Sequence, residues 1–173
     1  MDPILVSLIV VAALSAIGAG AFAISQLTAR RRRGVIAAAF RAALPAASVR
    51  VRADRCEAET EAVLYLVKIV PLAGGAELIL TNRLYWCRND DPMNWKRSTK
   101  PSLVDGVAAF LDEAPATAKR VVKIALLYPT AHNVTRYLNE SDVEVVTPRT
   151  SVDGVHFVPF DGLADFFSKR DQK

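Results

Sequence analysis

The beginning of this chain limits what it can fold into more than any other part: from Ile4 to Leu27, ILVSLIVVAALSAIGAGAFAISQL, 24 residues pass without a charge. As a helix rising ~1.5 Å per residue this run would be ~36 Å long, enough to cross a hydrocarbon core of ~30 Å with some tilt. A cleaved leader would carry positive charge ahead of a shorter apolar stretch, whereas here Asp2 precedes the run and the basic residues follow it. The sequence therefore predicts a retained single-pass transmembrane anchor over residues 1–29. Within it Ala12, Ala16 and Gly20 recur at every fourth position, which puts small residues on one face of the span and permits close helix packing in the membrane.

Arg30, Arg31, Arg32 and Arg33 follow directly, and basic residues flanking a span stay on the cytoplasmic side. The expected topology is an outside N-terminus and a cytoplasmic C-terminal domain, or a matrix-side one in an organelle. Residues 1–56 hold eight arginines against two aspartates, a balance of +6, so the remainder sums to −2 in a chain of net charge +4. The basic character belongs to a juxtamembrane segment, 30–55, and the globular domain occupies 56–173 with a core that could begin near residue 35. That collar suits topology and anionic membrane lipids. Together with Arg50, Arg52 and Arg55 it would also serve a nucleic-acid tether, although the interleaved aromatics that stack on bases are missing from it.

The cysteines, Cys56 and Cys87, form no CxxC pair, and His132 and His156 have no partner at zinc spacing, so the expectation is two free thiols, no metal and no cofactor. Asn133-Val134-Thr135 and Asn139-Glu140-Ser141 match the glycosylation sequon, which a cytoplasmic domain would not use.

Val35–Leu44 is alanine-rich and ends at Pro45, a helix signature, and Ser48–Arg52 alternates as a short strand does. Ala62–Pro71 and Ala76–Cys87 are β-branched and aromatic runs around Gly74-Gly75, which predicts a hairpin. Arg88–Lys100 reads as a loop with Trp95 folding back, and Pro101–Glu113 as a helix that buries Leu103, Val104, Val107, Phe110 and Leu111. Val121–Tyr128 has the continuous apolar run of a strand covered on both faces. Thr130–Leu138 suggests a short helix, Val143–Thr147 a strand, Val155–Val158 a minor strand and Leu163–Lys169 a closing helix. The predicted class is α/β, a mixed-sheet α-β-β-β-α-β-α-β domain with an antiparallel hairpin first and a helix-crossed parallel pair later.

Phosphate-cradling GxxxxGK[ST], dinucleotide GxGxxG, GxSxG and HExxH patterns are all missing from the sequence. The α-β-β-β-α-β order and the passage Ile69–Asn82, IVPLAGGAELILTN, resemble the nuclease-related domain (NERD) of the restriction-endonuclease-like superfamily. The resemblance spans about 100 residues, Val35 to Thr147. It implies an acid on the second strand and a [D/E]xK pair on the third, holding a divalent metal and activating water. Counted from Gly74-Gly75, those third-strand positions are Leu80 and Asn82, so the resemblance implies a nuclease-like fold without its catalytic set. The acids left to a divergent nuclease are Glu57, Glu59, Glu61 and Glu77, with Lys68. The reading with most support from the sequence is a membrane-anchored, non-catalytic domain that binds a protein partner or serves as accessory subunit of a membrane assembly.

Overall fold

The computed structural model describes residues 27–73, 75–90, 102–139 and 142–168, in two compact units, Met1–Ile36 and Ala37–Lys173. The apolar run through Gln26, with Ala12, Ala16 and Gly20, lies outside the described residues, as do Trp95 and the Glu140-Ser141 end of the second sequon. No described helix is long and apolar enough to cross a membrane. In the first unit residues 27–36 are helical, and the Arg33 Nε donates to the Ala29 carbonyl at 3.3 Å, one turn back. Helical residues, α1, run over 27–43; they include the arginine collar and most of the predicted Val35–Leu44 segment.

The second unit is mixed α/β with two mixed sheets. Its strands are β1 (Ser48–Val51), β2 (Arg55–Glu59), β3 (Val63–Pro71), β4 (Glu77–Leu80), β5 (Trp86–Asn89), β6 (Ser102–Leu103), β7 (Arg120–Tyr128), β8 (Val134–Tyr137), β9 (Val143–Val145), β10 (Ser151–Val152) and β11 (Val155–Pro159). Two short helices, α2 (Val107–Asp112) and α3 (Leu163–Ser168), complete it, with a 3-10 turn at Phe160–Gly162 between β11 and α3. One sheet has six strands in the order β1-β2-β3-β7-β11-β10, the other five in the order β6-β5-β4-β8-β9. The chain visits each sheet more than once, and this interleaving gives the two sheets one shared core.

The strand alternation explains the layers. On β3, Leu66 and Val70 point toward the five-stranded sheet and join Ala125, Leu127, Val155 and Phe157 of the same sheet in a core with Leu78, Leu80, Trp86 and Val134 from the other. On the opposite face, Tyr65 meets Phe167 of α3 edge to face at 5.1 Å, and Phe167 meets Phe40 of α1 at 5.8 Å. With helices over one face and the second sheet and α2 over the other, β3 and β7 need apolar residues at nearly every position, and both have them.

Several sequence expectations require correction. Ala62–Pro71 and Ala76–Cys87 do not form a hairpin: β3 already has β2 and β7 on its edges, so the linker carries the chain into the other sheet. Leu72 and Ala76 are buried within that crossover, and Gly75 adopts φ +80°, a conformation glycine tolerates. The run Ala76–Cys87 is broken into β4 and β5 because the Asn82 side chain accepts the amides of Leu84 (2.9 Å) and Tyr85 (3.1 Å) and closes a turn. Thr130–Leu138 is no helix: Val134, Thr135 and Tyr137 supply the β-branched and aromatic residues of β8, parallel to β4. The Pro101–Glu113 helix shrinks to α2, with Gly106 at φ +67° before it and Leu103 exposed on β6. The minor strand Val155–Val158 is β11, paired in parallel with β7 and completely covered at Val155 and Val158.

Cys56 and Cys87 are free thiols, as expected, in unlike surroundings. Cys56 on β2 is buried, and burial, helped by the charge of Glu57, pushes its thiol up to about 12. Cys87 is half-buried, its Sγ 3.7 Å from the Thr81 hydroxyl. At pH 8 a thiol-disulfide reagent should titrate Cys87 alone in the native chain and both cysteines in denaturant; two equivalents without denaturant would contradict the burial of Cys56. Because native Cys56 keeps a proton that the unfolded chain releases from pH 9.0 upward, its contribution is complete below that pH. It declines as pH rises toward 12, by at most ~1.4 kcal/mol per unit.

Candidate functional site

Two surfaces of the five-stranded sheet combine unusual side chains, and both follow from the pleat. Leu78, Leu80 and Trp86 face the six-stranded sheet, so their neighbours face outward. Cross-strand pairing then aligns Leu103, Cys87, Ile79, Thr135 and Val145 into one row across all five strands. Beside this row, Tyr137 stands opposite Val143. Leu103, Tyr137, Val143 and Val145 are 53%, 43%, 52% and 62% exposed, and Tyr85 in the β4–β5 turn is 52% exposed. The terminal strand β9 is exposed along its whole length, and among the described residues no strand pairs with its outer edge.

The second surface is a cavity of about 250 Å³ at the open end between the sheets. Leu80, Trp86, Val152 and Phe157 form its apolar floor, and Arg83, Arg136, Tyr137 and Asp153 are among its polar lining. It lies where the parallel strands β4 and β8 end, a usual place for ligands in sheets with parallel strands. The β10–β11 hairpin closes one side through Asp153 and Gly154, both at positive φ (51° and 80°), the backbone of a tight two-residue turn. Arg136 Nη2 is 3.9 Å from Asp153 Oδ1, and Arg83 Nη2 is 3.8 Å from Asp112 Oδ1, so each guanidinium has a carboxylate nearby at more than hydrogen-bond distance.

The acids and lysine named from the sequence do not come together. Glu57 and Glu59 lie on β2 and Lys68 on β3 of the six-stranded sheet; Glu61 is exposed in the turn between those strands. Glu59 accepts a hydrogen bond from Lys119 at 2.8 Å, and this bond holds its carboxyl below the usual range. Glu77 is on the outward face of the other sheet, where the Thr135 hydroxyl donates to it at 3.1 Å. Among the described residues no group of three or more His, Cys, Asp or Glu is placed to hold a metal ion. Leu80 and Asn82, where the nuclease resemblance would put an acid and a lysine, are a cavity-floor side chain and a turn-former. Of the basic set, Arg30 and Arg31 are exposed on α1, Arg52 is exposed, Arg50 stands opposite Glu57, and Arg55 is ion-paired with Glu113.

Compared with known proteins, the chain matches no family model, no curated protein and no solved structure. Its function has to be read from these surfaces alone.

Arg83, Arg136, Asp153 and the β9 valines were not singled out from sequence. Asp153-Gly154 between two valines is a hairpin signal that would have found one wall of the cavity. Arg136 was hidden by the helical reading of its segment, which erased the two-residue period that aims it inward.

Lys68 is 3% exposed and donates to Asp54 at 3.3 Å. Asp54→Ala would leave a buried ammonium without this carboxylate and is expected to destabilise the fold by ~1–3 kcal/mol, whereas Lys68→Met, which removes the charge itself, should cost less. Urea midpoints compare the two; a wild-type midpoint for Asp54→Ala would mean the pair contributes nothing.

Proposed function

We propose that this chain is a membrane-tethered, non-catalytic binding domain whose outward face of the five-stranded sheet docks a protein partner, as an accessory subunit of a membrane assembly would. The observation that carries this reading is the set of exposed apolar side chains at the ends of the cross-strand row and beside it, Leu103, Val145, Tyr137 and Val143, the last three next to the open edge of β9. Soluble surfaces that bind nothing seldom collect large apolar side chains into one patch, and an open edge strand is a template for an added strand. The tether is the uncharged run Ile4–Leu27, with the arginine collar holding the domain on the cytoplasmic side against anionic lipid headgroups. A divergent metal-dependent nuclease using Glu57, Glu59, Glu61 or Glu77 with Lys68 is the alternative; Glu77 sits in the other sheet from Lys68, and Glu59 is engaged by Lys119.

A photo-crosslinking residue at Val145, with Arg52 on the other sheet's β1 side as control, tests the docking face in native membranes. The expected result is a discrete protein adduct from position 145 that competes with excess unlabelled chain, and none from position 52. Adducts to lipid alone at position 145, or equal labelling from both positions, would overturn the reading.

A further inference from the structure

The cavity lies between the sheets, on the inner side of the strands that carry the docking face, meets that face at Tyr137, and has a lining chemistry of its own. We propose that it binds a small organic anion: one apolar ring bearing a single carboxylate or phosphate-type group. The ring lies on Trp86 and Phe157, and the anionic group lies within reach of Arg136 and Arg83.

Size argues for one ring. At about 250 Å³ the cavity is smaller than the roughly 300–1,000 Å³ of drug-sized sites and larger than the ~150 Å³ that holds a benzene. The floor argues for an apolar body, because Leu80, Trp86, Val152 and Phe157 line it, the Trp86 and Phe157 rings standing edge to face with centroids 4.9 Å apart. The lining argues for an anion. It carries two guanidinium groups against one carboxylate, and neither guanidinium is held at hydrogen-bond distance by its acidic neighbour. An incoming oxyanion can therefore take charge-assisted hydrogen bonds that Asp153 and Asp112 leave unmade. Asp153, Asp112 beside Arg83, and Glu144 opposite Arg136 on β9 offset the charge of the two guanidinium groups, which limits the site to a single anionic group and repels a polyanion such as nucleic acid.

The test uses the full chain in detergent micelles with three probes of one ring each: phenyl phosphate, benzoate and neutral phenol, titrated by calorimetry and ligand-observed NMR. One or both anions should bind with Kd on the order of 1 mM or tighter, and phenol at least about tenfold more weakly. Tighter phenyl phosphate assigns the site to phosphate esters, tighter benzoate to carboxylates. Arg136→Met should weaken the preferred anion about tenfold or more, and Asp153→Asn should tighten it about twofold to fivefold, opposite signs that a general loss of structure cannot produce. Arg83→Met, at a side chain 61% exposed, leaves the fold intact and should weaken binding severalfold should Arg136→Met fail to fold. Phenol binding as tightly as both anions, no binding of either anion at 10-fold above ~1 mM, or wild-type affinity in the arginine variants would overturn the proposal.

Discussion

Phe157→Ala is expected to lower the stability of the domain by ~3–5 kcal/mol, a large share of what a domain of this size has. Phe157 is 1% exposed on β11, in the middle of the core, and its ring packs on Trp86 of the opposing sheet at 4.9 Å. Trp86 also meets Phe110 of α2 at 6.4 Å, so one truncation opens a void where both sheets and a helix converge. Phe157→Leu keeps most of the volume and should cost less than half as much. Urea unfolding followed by far-ultraviolet circular dichroism measures both. A loss below ~1 kcal/mol for the alanine variant would mean that the sheets are not held together through this contact.

Removing residues 1–29 should move the protein from the membrane pellet to the supernatant after alkaline carbonate extraction, while the full chain stays in the pellet. A basic collar adsorbs to lipid through screened charge and is stripped by such treatment, whereas ~24 apolar residues insert far more firmly. The full chain in the carbonate supernatant would leave the tether without support and reduce the proposal to its docking face.

How much of this could be read from residues alone depended on whether a segment's own periodicity and its tertiary role agreed. Val121–Tyr128 read as a doubly covered strand, and β7 is one, because a strand between two layers needs apolar residues at successive positions. Phe110 and Leu111 were placed in the core correctly, since the spacing of α2 survives even though its first turn does not. β2 was missed because the residues it buries are Cys56 and Ala58, small ones between charged neighbours, so its alternation is weak in hydrophobicity. The hairpin expected around Gly74-Gly75 fitted the local turn rules, but pairing is decided by which edges are free, and both edges of β3 are occupied by strands from elsewhere in the chain. The cavity and the docking face were illegible for the same reason: each is assembled from β4, β5 and β8 in a register that only the complete sheet defines.

The central claim is that the outward face of the five-stranded sheet is the working surface. Its most direct test is the affinity of the partner captured at Val145 for a chain carrying Val143→Glu and Val145→Glu, measured beside the unfolding midpoint of the same variant. Both side chains are more than half exposed, so stability should stay within ~0.5 kcal/mol per substitution of wild type. Two carboxylates in a docked apolar interface should cost affinity ~100-fold or more, about 2.7 kcal/mol. A variant that binds its partner as the wild type does, with its fold intact, would contradict the account.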